Sequence, residues 1–244
     1  MVADAVDDLT AVISVSHVQF ATGHVFDARA LSELAHAHGA TLVLDATQSA
    51  GMIPIDVRVA GIDVLVAGAY KWLCSAFGAA LCYLSPEVAR NFRPPFVGWR
   101  STPDQASFDA VDMPLARGAR AMEFSTVAYP SGVALGAAID YLLDLGIDRV
   151  AEHGARLADR LLEGLEALGG ELVTPRDPAQ RGSIVALRFG GGDHDRARAL
   201  AAALADAGVY TSPRLGAIRF APHVYNDDAD VDRALEQVGL VLQR

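Results

Sequence analysis

Lysine is almost missing from this chain. Of the 20 basic side chains in 244 residues, 19 are arginine and Lys71 is the single lysine. Basic charge as a whole is short: 30 acidic residues leave a net charge of −10. Phosphate-backbone binding rests on basic surface, so no nucleic-acid partner is expected. No apolar run reaches the roughly 18 residues that a membrane helix needs, so no membrane partner is expected either. The opening Met1-Val2-Ala3-Asp4-Ala5-Val6-Asp7-Asp8 carries three acids and no base, unlike a secretory signal. Cysteine is scarce: Cys74 and Cys82 lie in an apolar segment and read as buried free thiols, in keeping with a reducing cytoplasm. The histidines do not combine with Cys or Asp at zinc-ligand spacing, so no metal is expected. Neither a G-x-S-x-G elbow nor a serine triad is evident. Gly190-Gly191-Gly192 lacks the G-x-G-x-x-G spacing, and Asp193 and Asp195 beside it would repel an anion. A strand-to-helix turn is the better reading.

What remains is the composition of a globular α/β protein, 52% hydrophobic and 20% charged. Ala11–Val15 has the β-branched character of a buried parallel strand. Asp27 caps a helix predicted over Ala28–His38, with Leu31, Leu34 and Ala35 at helical spacing and Gly39 as its stop. Strands are predicted at Thr41–Leu44, Ile62–Ala67 and Gly78–Leu84. Ser85 to Arg120 reads as an irregular loop region, including Asp104 to Asp112, in which Trp99 is either a pocket wall or a core anchor. Helices are predicted over Gly132–Leu145 and from Asp148 to Leu168. From Glu171 onward a small α/β unit is expected, with strands at Ser183–Phe189 and Ala217–Phe220 and helices over Arg196–Ala207 and Asp228–Leu242. Ligands of such doubly wound sheets sit at the carboxyl ends of strands. Asp45 and Lys71 stand at two such ends, and an amine at the apolar mouth of a sheet suits attack on an aldehyde to form a Schiff base.

Five blocks then occur in order: Ser16-His17-Val18-Gln19-Phe20-Ala21-Thr22-Gly23, Asp45-Ala46-Thr47-Gln48-Ser49, Ala69-Tyr70-Lys71-Trp72-Leu73, Glu123-Phe124-Ser125-Thr126 and Arg219-Phe220-Ala221-Pro222-His223-Val224-Tyr225-Asn226. In these the chain resembles the class V aminotransferase family of fold type I pyridoxal-phosphate enzymes, which includes cysteine desulfurases, kynureninases and isopenicillin N epimerase-like proteins. The resemblance implies a partial large domain with a mostly parallel sheet over residues 1–147. A helix and a small C-terminal α/β domain would follow over 148–244. It implies pyridoxal 5'-phosphate as cofactor and Lys71 as the Schiff-base residue. Asp45 would face the pyridine nitrogen, Gln48 the ring's phenolic oxygen and Tyr70 the phosphate. Thr126 would reach the phosphate of a neighbouring subunit, and Arg219 would clamp the substrate α-carboxylate. His17, at the end of the first strand, would lie near the cofactor, where a structural hydrogen bond competes with a catalytic role.

The chain also departs from the pattern. Gly68 replaces a serine that contacts phosphate in desulfurases. Gly208 to Gly216 contains no cysteine where desulfurases carry their catalytic one, so desulfurase activity is not expected. In the family a sizeable N-terminal portion precedes the strand matching Ala11–Val15. That portion carries the phosphate-gripping turn and the aromatic residue that stacks on the ring. The expectation is therefore an enzyme of amino-acid aminotransferase or carbon–sulfur lyase type, acting as a homodimer or with a partner that supplies the N-terminal portion. The alternative is a non-catalytic remnant. Either way, part of the sheet is expected to present an uncovered apolar face or an unpaired edge.

Overall fold

The computed structural model describes residues 2–106, 111 and 113–243; of the expected loop Asp104 to Asp112, positions 107–110 and 112 lie outside the described residues. The chain divides into two compact units: residues 1–17, 27–50 and 55–141, and residues 18–26, 51–54 and 142–244.

The first unit is built on a four-stranded sheet in the order β1 (Val12–Ser16), β2 (Thr41–Asp45), β3 (Val64–Gly68) and β4 (Ala80–Leu84). β1, β2 and β3 run parallel, and β4 returns antiparallel against β3. Helix α1 (Ala28–Ala37) makes the first crossover. The Asp27 carboxylate caps it by accepting from the amides of Arg29 and Ala30, and the chain leaves through Gly39 at φ 69°. Leu31 and Ala35 point inward, and α1 packs on β2.

The two faces of this sheet differ. Ile13, Leu42, Leu44, Leu65 and Ala67 are buried on one. The other carries Val12, Ser14 and Ser16 of β1, Val43 and Asp45 of β2, Val64 and Val66 of β3, and Ala80, Cys82 and Leu84 of β4. Strand register brings these residues together, and all are exposed or half-buried. Parallel sheets are normally covered on both faces. This one has an uncovered side among the described residues, as the sequence led us to expect.

The cysteines require a correction: both thiols are exposed, not buried. Cys82 lies on the uncovered side of the edge strand β4, and Cys74 sits in the turn after Lys71 with φ 56°. An apolar stretch reads as core in a sequence, but its exposure depends on which face of the sheet is covered. Within the loop region expected to be irregular, a short helix α2 (Pro86–Asn91) forms, with Ser85 as its cap and Pro86 in its first turn. Trp99 is partly exposed, and the Arg100 guanidinium lies 5.5 Å from its ring centroid. Helix α3 (Tyr129–Leu145) begins one turn before the expected start, with the Ser131 hydroxyl donating to the Phe77 carbonyl.

The second unit packs α4 (Ile147–Ala167), α5 (His194–Asp206) and α6 (Asp228–Leu242) with an antiparallel sheet in the order β5 (Glu171–Leu172), β6 (Val185–Arg188), β8 (Ala217–Phe220) and β7 (Ser212–Arg214). Its core joins Leu157, Leu161 and Leu165 of α4 to Val185 and Leu187 of β6 and to Leu204 and Val238 of the other helices. The three glycines at 190–192 form the strand-to-helix turn read from the sequence. All three have positive φ, and Asp193 then caps α5. The short strands β5 and β7 were not legible; β7 holds Pro213 and forms by pairing with β8.

Candidate active site

The ends of β1, β2 and β3 are laced together by short backbone bonds. His17 N donates to Asp45 O at 2.9 Å, extending the β1–β2 ladder beyond its last pair. Ala46 N donates to Val66 O at 2.7 Å. Thr47 ties the turn to both neighbours: its amide donates to Asp45 Oδ1 at 2.8 Å, and its hydroxyl accepts from Gly68 N at 3.0 Å. The Asp45 side chain is thus held at the carboxyl end of β2. It lies half-buried on the uncovered side, level with Val66, and forms no other bond to its carboxylate among the described residues.

After β3 the chain folds into a tight turn carrying Tyr70 and Lys71. Cys74 N donates to Lys71 O at 3.0 Å and Ser75 N to Ala69 O at 3.1 Å. Cys74 takes the left-handed conformation here, which is uncommon for a residue with a side chain. Trp72 and Leu73 are buried and anchor the turn, leaving Tyr70 and Lys71 on its outer side. Lys71 Nζ lies 5.7 Å from the Tyr70 ring centroid, and Tyr70 in turn stacks on Phe77 at 5.0 Å. Lys71 is exposed, so the enclosed apolar mouth expected around it is not formed by the described residues.

Gln48 is partly buried, and its Oε1 accepts from Trp72 Nε1 at 2.9 Å. No spacing in the sequence announces this bond. Trp72 is part of the block around Lys71, but its contact with Gln48 spans two separate turns. His17 is buried, and its Nδ1 lies 3.0 Å from the hydroxyl of Ser49, which is also buried. Thr126 is exposed in the irregular stretch before α3. Arg100 spans that stretch, bonding Glu123 on one side and the Tyr129 hydroxyl on the other at 3.1 and 3.0 Å.

Arg219 belongs to the second unit. On β8 it donates from Nη1 to Phe20 O at 2.8 Å and from Nη2 to the Ser212 hydroxyl at 3.3 Å. Its Nε is buried without a partner among the described residues. Burial first, and then the nearby Arg214 charge, lower its pKa from the usual arginine value.

Around Asp45, Gln48 and Lys71 the structure therefore offers a carboxylate, an amide and a primary amine at adjoining strand ends. Gly68 lets the Tyr70 ring approach the end of β3 closely: a Cβ there would stand 2.9 Å from Tyr70 Cε1 and 3.5 Å from Thr47 Cγ2. This donor set fits a heteroaromatic ring with a protonated nitrogen, an ionised oxygen and an aldehyde.

Comparison with known proteins agrees with the family resemblance. The family described as Aminotransferase class-V matches residues 1–233. The chain is 31% identical over 233 residues to an uncharacterized aminotransferase of Bacillus subtilis, covering 96% of this chain and 60% of the relative. It is 30% identical to a kynureninase of Pseudomonas fluorescens, covering 98% and 58%. Among solved structures, an apo cysteine desulfurase of Thermococcus onnurineus superposes with a TM-score of 0.85 at 24% identity, over 95% of this chain and 60% of that one. The cystine C–S lyase C-DES, complexed with its reaction product cysteine persulfide, superposes with a TM-score of 0.86 at 22% identity, over 98% and 63%. The chain thus spans about 60% of the length of these four proteins. By the family match across nearly its whole length, and by a fold shared with these enzymes, the chain belongs to the class-V aminotransferase family.

Proposed function

We propose that this chain carries the lysine-bearing part of a pyridoxal-phosphate site that acts on an amino acid, by amino transfer or by carbon–sulfur cleavage. One observation supports this above all: the chain's single lysine stands in the turn after β3, while Asp45 ends the parallel neighbour β2 in register with Val66. When bound, pyridoxal phosphate supplies an aldehyde that condenses with amines and a ring that takes up electron density from the substrate.

The chain's own residues divide the remaining work. Lys71 holds the aldehyde end and moves the proton at the substrate α-carbon. The Asp45 carboxylate accepts from the ring nitrogen and keeps it protonated, as an adjacent opposite charge does. Gln48 donates to the ring oxygen, and Tyr70 donates to the phosphate. His17 supports this end of the sheet through Ser49. Arg219 takes the substrate carboxylate, for which a guanidinium is well shaped. Thr126 serves the phosphate of a second copy, so the working assembly is a homodimer in the cytoplasm. The uncovered sheet side favours a site completed by further polypeptide, because apolar surface of this kind gains from being covered.

The test is to add pyridoxal phosphate to the purified chain, reduce with borohydride and map the digest by mass. Label on the peptide containing Lys71, lost in Lys71→Ala, is the expected result. Absence of label on that peptide would refute independent cofactor binding and leave in its place a site completed only by a partner, or the non-catalytic reading.

A further inference from the structure

We infer that Trp72 is a positioning residue: it orients the Gln48 amide so that only N–H donors are offered to the ring oxygen of the bound cofactor. This rests on the function proposed above. An indole nitrogen donates and never accepts, so the end of the Gln48 amide that faces it must be the oxygen. At 2.9 Å this bond fixes the amide orientation by chemistry alone. The Gln48 NH2 is then the end turned away from Trp72, and it forms no other bond among the described residues.

Neither partner is placed to relax out of this arrangement. Trp72 is only 5% exposed. Gln48 lies in a backbone turn closed by Ser49 N and Ala50 N on Ala46 O, at 2.9 and 2.7 Å. A carboxamide free in water flips readily and can present either end, whereas this one presents donors only. A donor-only contact favours an ionised oxygen and disfavours a protonated one. Trp72 thereby selects the charge state that Gln48 recognises, although it stands one side chain away from the cofactor.

The experiment is a double-mutant cycle on the full chain, reading the dissociation constant of pyridoxal phosphate by equilibrium dialysis. Trp72→Phe keeps an apolar ring in the buried position and removes only the N–H. It should weaken binding about five- to tenfold, as expected for one lost hydrogen bond, and Gln48→Ala should do the same. The double variant should bind no more weakly than Gln48→Ala, because Trp72 acts through Gln48. Urea unfolding midpoints of each variant confirm that the fold is retained. The inference is overturned if Trp72→Phe leaves affinity unchanged, or if it weakens binding equally with and without Gln48. A wild-type chain that binds no pyridoxal phosphate would refute independent cofactor binding, and this inference with it.

Discussion

Gly23 is a position where one added methyl group should clearly harm the second unit. It closes the turn after Val18, with its amide donating to Gln19 O at 2.8 Å, and it has φ 75°. A Cβ built there would lie 2.3 Å from Ile184 O and 3.2 Å from Ile184 Cβ. Ile184 is itself only 1% exposed, so neither neighbour can swing into solvent. Left-handed backbone costs an L-residue about 1–2 kcal/mol. Loss of unfolded-state entropy returns about 0.4–1 kcal/mol of that. Overpacking against a rigid backbone adds about 1–3 kcal/mol. Gly23→Ala should therefore destabilise by about 1–4.5 kcal/mol. Gly169→Ala is the control within the same unit: φ is 86°, and nothing lies within 4 Å of the added Cβ. It should carry only the backbone part, about 0–1.5 kcal/mol. Urea unfolding of the three proteins gives the comparison. Equal destabilisation at the two positions would refute the close approach of Gly23 to Ile184.

Two further outcomes follow from ionisable groups. The Asp193 carboxyl is held below its ordinary value by the amides of Arg196 and Asp195, which donate to it at the start of α5. Its capping contribution is thus complete above the ordinary aspartate range and is lost as pH falls through the lowered value. Asp193→Asn caps without titrating, so wild type should lose its stability advantage over the variant on acidification; urea midpoints across that range that move in parallel would contradict this. The Cys74 and Cys82 thiols are pushed up by partial burial although both side chains reach solvent. Near neutral pH both should react with a thiol reagent more slowly than free cysteine, and faster as pH rises. Rates equal to that of free cysteine at every pH would rule out the burial effect.

Much of the architecture was legible because it depends on local chemistry. Asp27 and Asp193 announce helix starts, and Gly39 announces a helix stop. The β-branched runs at Val12–Ser16 and Thr41–Asp45 mark parallel strands. The placement of Asp45 at the end of one strand and of Lys71 just after the next was legible too, since each follows an apolar run that reads as a buried strand. Weak elements were not legible. β7 contains a proline and exists through its partner β8, and α2 rests on one cap and one proline within a loop.

The sequence alone determined the family, the order of the longer strands and helices, and the side chains proposed to meet a cofactor. Only the tertiary structure decided which of them face outward. Cys82 has the character of a core residue, yet it stands on the uncovered side of β4, because burial belongs to a whole sheet face. Likewise, no spacing rule links Gln48 to Trp72, 24 residues apart. Their bond exists because β2 and β3 lie side by side and end in adjoining turns. Hydrogen-bond geometry is set by distance and direction in space, to which separation along the chain gives no guide.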